Sequence, residues 1–169
     1  MWVRTLALAV GAQQGLAVHQ EHVERRAKYQ VARDYADSVR KPMLVVGGPY
    51  GGNSVNFWFR VPAHGWGDVC LDLNPETCSG GPPELEIIEA DVRNIPFSDK
   101  YFGSAFVSHV LEHLPTVNDA QMAFAELNRV SNKVIVASPG KDVITSWLNP
   151  DHHLWVQQKN DGSLVVEQR

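Results

Sequence analysis

The 169-residue sequence has little cysteine, no long apolar run and no excess of positive charge. Two cysteines, Cys70 and Cys78, are too few for a disulfide framework. Their spacing fits neither a zinc ligand pair nor a Cys-x-x-Cys redox motif, so they read as free thiols in a reducing, cytoplasmic setting. No window of about 18 residues is apolar throughout, which leaves no confident membrane span. The nearest approach is Trp2–Val18, interrupted by Gln13 and Gln14. It is expected to be an ordinary packing helix, with membrane contact or a targeting signal as the alternative. A formal net charge of −4 gives no basic field, so nucleic acid is not an expected partner. There are no internal repeats and no low-complexity tract, and the length is that of one domain.

What is present is unevenly distributed. Residues 1–41 carry seven Lys/Arg against four Asp/Glu, whereas residues 42–169 carry eight against fifteen. A basic leading arm therefore precedes an acidic body. No proline occurs before Pro42, and Ala27, Val31, Tyr35 and Val39 recur every four residues, which predicts a helix ending at Arg40–Lys41. The division expected is a helical segment over 1–41 and an α/β domain over 42–169, the first available for docking on a protein partner or a membrane.

Beyond Pro42 the pattern alternates. Short apolar runs at Met43–Val46, Val69–Leu73, Leu85–Ala90, Ser104–Ser108 and Lys133–Ala137 predict buried strands. A helix is predicted over Asp119–Val130 from Met122, Ala125, Leu127 and Val130, and Asn53 or Ser54 could cap another through Phe57–Phe59. Leu154–Gln158 and Ser163–Glu167 flank Asn160-Asp161-Gly162, a hairpin signal. The fold class is α/β: a doubly wound, mostly parallel sheet of Rossmann type ending in an antiparallel hairpin.

In such a sheet ligands bind beyond the carboxyl ends of the strands. Four local patterns fall there. Val46-Gly47-Gly48-Pro49-Tyr50-Gly51-Gly52-Asn53 is a glycine turn after the first strand, but it is neither a Walker loop nor a strict Gly-x-Gly-x-x-Gly. Asp72 ends the second strand, where a carboxylate can accept both ribose hydroxyls of a nucleoside cofactor. Asp91 ends the third, placed to accept from an exocyclic amine. Ser108-His109-Val110-Leu111-Glu112-His113-Leu114 follows the fourth. Its His109-x-x-Glu112-His113 matches an inverted zinc-protease pattern. That pattern needs both histidines on one helical face, and Pro115 leaves little helix, so no metal is expected.

Together these residues resemble the class I S-adenosylmethionine-dependent methyltransferases, the type 11 group in particular. The resemblance runs over roughly 42–140, and its most specific part is Asp91-Val-Arg-Asn-Ile-Pro-Phe-Ser-Asp-Lys-Tyr-Phe-Gly-Ser-Ala-Phe-Val-Ser-His-Val-Leu-Glu-His-Leu114. It implies S-adenosylmethionine as cofactor, with Gly47, Gly48 and Gly51 lining its methionine end and Asp72 holding the ribose. It further implies Leu73 packing on adenine, Asp91 and Val92 at the adenine edge, and Ser108 and His109 beneath the sulfonium. Three positions depart from the family pattern: Val45 stands where an acid is usual, Pro49 interrupts the glycine spacing, and Gly103 replaces the usual Asp after Phe102.

The implied activity is methyl transfer to a small-molecule acceptor, in which the protein chiefly positions the reactants and excludes water. No catalytic base is identified; His113 and His152, the latter within Asn149–Trp155 and beside His153, are the candidates. The runner-up reading is a catalytically inactive methyltransferase-like module that docks through its N-terminal helix.

Overall fold

The computed structural model describes the backbone of residues 2–50 and 61–169, with side chains from residue 11 onward in those stretches. The helix expected over Asn53–Phe59, together with Gly51, lies outside the described residues.

The chain opens with α1 (Trp2–Ser38) and enters β1 (Met43–Val46), β2 (Val69–Asp72), β3 (Glu86–Glu89) and β4 (Phe102–Ser108). Helix α2 (Val117–Val130), β5 (Ser131–Ala137), a short α3 (Ile144–Leu148) and the hairpin β6 (Leu154–Gln158) and β7 (Leu164–Gln168) complete it. Single 3₁₀ turns follow β2, at Pro75–Cys78, and β4, at Leu111–His113. The five central strands pair in parallel in the order β3-β2-β1-β4-β5. The chain therefore winds outward from β1 to β3 and then returns to lay β4 on the other side of β1. This is the doubly wound arrangement expected, with its switch point between β1 and β4.

Each face of the sheet is covered differently. Leu44, Val46, Leu71, Ala105, Val107, Val134 and Val136 pack against α2 and the hairpin's Leu154 and Val156. Helix α2 begins at Thr116, whose Oγ1 accepts from Asp119 N–H at 3.1 Å. Its buried row is Ala120, Ala123, Leu127 and Val130; Met122, expected inside, is half exposed. Small residues win that face because they let the helix approach the strands closely.

The opposite face packs Met43, Val45, Cys70, Phe106 and Ile135 against α1. The row anticipated for this helix is displaced as well: Ala27 and Val31 are exposed, and Arg25, Ala32 and Ala36 are buried. Steric fit decides it. A Cβ on Gly103 would lie 2.8 Å from Ala36 Cα, so α1 rests directly on the glycine, and Ser104 Oγ donates to Ala32 O at 2.7 Å. Val45, another departure from the family pattern, is fully buried in the same layer. Both substitutions thus suit a helix pressed onto the sheet.

No described helix is long and apolar enough to cross a membrane. Gln14, in the N-terminal stretch, instead binds the loop before α3: its Nε2 donates to Asp142 O and its Oε1 accepts from Ile144 N–H at 2.8 Å.

The cysteines are not free. Cys70 in β2 is disulfide-bonded to Cys78 at the end of the following 3₁₀ turn, which corrects the free-thiol reading. Sequence spacing gave no hint because the reversal of the chain after Asp72 is what brings the eight-residue separation to bonding range. The hairpin forms its own two-stranded ladder, and its Gln158 also bonds the backbone of the β5 edge. Gln158 Oε1 accepts from Val136 N–H at 2.9 Å and its Nε2 donates to Val134 O at 3.0 Å.

Candidate active site

Six of the residues picked from sequence line one cavity. Asp72, Leu73, Asp91, Val92 and His109 surround a space of about 280 Å³ at the carboxyl ends of β1, β2 and β4, with Val46, Leu71 and His113 completing the wall. This is near the lower bound for small-molecule pockets. Asp72 Oδ1 accepts from Asn74 N–H at 2.9 Å, and its second oxygen takes no hydrogen bond from a described residue. Leu73, 68% exposed, stands over the mouth as an uncovered apolar side chain.

Asp91 is already engaged. The Arg93 guanidinium grips both its oxygens, at 2.6 to 3.1 Å, and reaches Asp119 at 2.7 Å. Those hydrogen bonds hold the Asp91 carboxyl below the ordinary aspartate range. Arg93 escaped the sequence reading, although its place two residues beyond Asp91 was visible.

Gly47 and Gly48 support the cavity from behind. Both have positive φ, and a Cβ on them would lie 2.4 Å from the carbonyl oxygens of Ser108 and Thr77 respectively. Glycine is demanded by the close packing of the loop between β4 and the Pro75–Cys78 turn. Ser108 is fully buried and its Oγ has no hydrogen-bond partner.

His109 closes the floor. Its φ of +55° is rare for a residue with a Cβ, and the backbone is held there by its N–H to Ala137 O at 2.9 Å. The ring lies between two carboxylates, with Nε2 3.1 Å from Glu21 and Nδ1 3.4 Å from Glu112, and Arg25 also touches it. Burial pushes its pKa down to about 4 despite the Glu21 contact, so the imidazole is neutral at neutral pH. His64 behaves alike: stacked on Tyr29 and edge-on to Phe106, it is desolvated to a pKa of about 4.

His113 and His152, 39 residues apart in sequence, meet edge to face with ring centroids at 4.8 Å. Glu112, passed over as a site residue, is 1% exposed beside them, and burial raises its carboxyl to about 7. The segment carrying His152 is tied down: His153 N–H donates to Glu112 O at 2.8 Å, and Arg169 donates to Asn149 O and His152 O. A second cavity of about 420 Å³ lies between α1, β5 and the hairpin, lined by Glu21, Lys28, Ser138, Lys141 and Trp155 among others. Glu21 belongs to its wall and binds His109, so the Glu21–His109 contact separates the two spaces.

A doubly wound sheet with a strand-end acid beside a cavity at the switch point defines a Rossmann-like class of fold. Residues 51–133 match the family model described as a methyltransferase domain, which supports the resemblance to the class I S-adenosylmethionine-dependent methyltransferases. No curated protein sequence matches the chain.

Among solved structures, similarity is found to an amino pentose methyltransferase from Micromonospora echinaspora with S-adenosylmethionine bound, at 21% identity and a TM-score of 0.40. That match covers 67% of this chain and 51% of the other, so the chain spans about half the length of that enzyme. A Burkholderia thailandensis 1,6-didemethyltoxoflavin-N1-methyltransferase is 13% identical, covering 99% of this chain and 72% of that one, with a TM-score of 0.43. The N-methyltransferase NodS from Bradyrhizobium japonicum is 12% identical over 83% and 84%, with a TM-score of 0.44. The fold assignment rests on the strand order, not on these distant likenesses.

Proposed function

We propose that this chain binds S-adenosylmethionine and transfers its methyl group to a small-molecule acceptor. The observation that carries the reading is the second oxygen of Asp72, which has no described partner beside a cavity it shares with Leu73, Val92 and His109. A ribose diol suits such an oxygen, and Leu73 and Val92 supply apolar surface for adenine. Gly47, Gly48 and Gly51 would follow the methionine end, and Ser108 and His109 would lie near the sulfonium. Because Asp91 is held by Arg93, the adenine edge is met by a paired carboxylate.

When bound, the cofactor supplies an already activated methyl group. The residues' part is then to orient it and keep water out. The neutral His109 fits a place near a sulfonium, since an imidazolium there would repel it. His113 and His152 remain the base candidates for an acceptor that must lose a proton.

Titration calorimetry with S-adenosylhomocysteine tests the reading: binding that weakens strongly in Asp72→Ala supports it, and no binding to the wild-type chain removes it. The docking-module alternative is favoured by Leu16, Val18 and Val23, which α1 leaves exposed. Deleting residues 1–20 would then abolish assembly with the partner, while cofactor binding by an unaffected monomer counts against it.

A further inference from the structure

We infer that Glu112, His113 and His152 form a binding site for one divalent transition-metal ion of the zinc or cobalt type. One ligand atom from each residue lies within 4.8 Å of the others. The three come from the 3₁₀ turn after β4 and from the segment leading into β6, and they meet because His153 N–H bonds to Glu112 O.

Two independent features prepare the donors. His113 Nδ1 lies 3.0 Å from Asp151 O, and His152 Nδ1 lies 3.2 Å from Ser146 O. A carbonyl oxygen only accepts, so each Nδ1 carries the ring proton and each Nε2 is left with a lone pair. Backbone carbonyls fix the tautomers of metal-bound histidines in this same way. Glu112, in turn, is buried; its Oε1 accepts no hydrogen bond and lies 3.4 Å from His109 Nδ1, and its Oε2 meets only the weak 3.3 Å contact from Ser138 Oγ. A carboxylate taken out of water without a full set of partners is costly, and a bound cation removes that cost.

Two imidazoles and one carboxylate select borderline ions over magnesium or calcium, which prefer oxygen donors. Ligand bonds of about 2.0–2.2 Å require the donor atoms to draw closer than 4.8 Å. His113, only partly buried at the cavity wall, has the freedom to do so. Three protein ligands leave a tetrahedral ion one further position. The zinc-protease reading considered for His109-x-x-Glu112-His113 therefore fails on its first histidine: His109 is turned to Glu21 and Arg25, and His152 takes its place.

Equilibrium dialysis of the chelator-stripped full chain against Zn²⁺ or Co²⁺ alone, with elemental analysis, tests this. One ion per chain is expected, together with the visible absorption of low-coordinate Co²⁺. His113→Ala and His152→Ala should each weaken binding by about 100-fold or more, whereas the neighbouring His153→Ala should not. Glu112→Gln keeps the side-chain shape and should also weaken it; circular dichroism checks that each variant folds. Substoichiometric binding by the wild type would overturn the inference. So would an affinity unchanged in folded His113→Ala and His152→Ala, or one that falls only when His19 and His22 on α1 are replaced. Cofactor is absent throughout, so the outcome does not depend on the methyltransferase reading.

Discussion

At one end of the 280 Å³ cavity stand Asp72 and Asp91, each at the end of its own strand and each in reach of water. At the other end His109 and Glu112 are sealed inside, with Glu21 and Arg25 arriving from α1 and His152 from the approach to β6. The acidic end is local: its hydrogen bonds run to Asn74 and Arg93, two residues along the chain, and to Asp119 through Arg93. The histidine end is assembled from three distant segments and is paid for in desolvation. Arg93 hydrogen bonds set the Asp91 carboxyl at the first; burial sets the charge states of His109 and Glu112 at the second.

The largest effect expected from this contrast is on acid stability. His64 has a folded pKa of about 4 against 6.5 unfolded, with desolvation the first cause and the Arg25 charge nearby adding to it. Protons therefore bind the unfolded chain first. The stability is full above about pH 6.5 and falls as pH drops toward 4, by about 3 kcal/mol for this group. His64→Phe should flatten that part of the curve in chemical denaturation at pH 7, 5.5 and 4.5. Asp91, with its lowered pKa, works in another window: its contribution holds above the ordinary aspartate range and fades only below it. Identical curves for wild type and His64→Phe would break the comparison.

Next in size is the disulfide beneath the acidic end. Cys70→Ser with Cys78→Ser opens a loop of eight residues' separation and should cost about 2.5 kcal/mol by the chain-entropy relation, read from denaturant midpoints. Reductant should reproduce the loss in wild type and leave the double variant unmoved.

Asp72→Ala is expected to raise the dissociation constant for S-adenosylhomocysteine about 10- to 100-fold, the range for a hydrogen bond to a charged group. His152→Ala at the opposite end should leave that constant within about threefold. Equal losses would show that the two ends act as one. The smallest effect falls to Arg93→Gln: the Asp91 carboxyl, followed by NMR, should rise toward its ordinary range while the fold persists.

This contrast also explains what could be read from sequence. The strands at Met43–Val46 and Val69–Asp72 were legible because buried parallel strands are short apolar runs, and Asp72 and Asp91 because a carboxylate at the end of such a run breaks its pattern. The face of α1 was not, since Ala27 and Val31 are as apolar as Ala32 and Ala36, and only the space at Gly103 decides between them. Glu112 was in view within His109–His113, yet its burial depends on the chain at Ser138 and His153, which no local spacing reports. The Cys70–Cys78 bond belongs to the same kind: a turn creates it, and the turn is invisible until the chain folds back.

Gln158 has a consequence of its own. An edge strand offers unpaired N–H and C=O groups to any other strand that drifts against it. Between Val134 and Val136 those groups are filled by a single amide side chain, which imitates one rung of a neighbouring strand. Because the mimic is only a side chain, it satisfies β5 without extending the ladder, and the sheet ends there. Removing it with Gln158→Ala would turn a finished border into a template, and the first sign would be chains joining edge to edge as concentration rises.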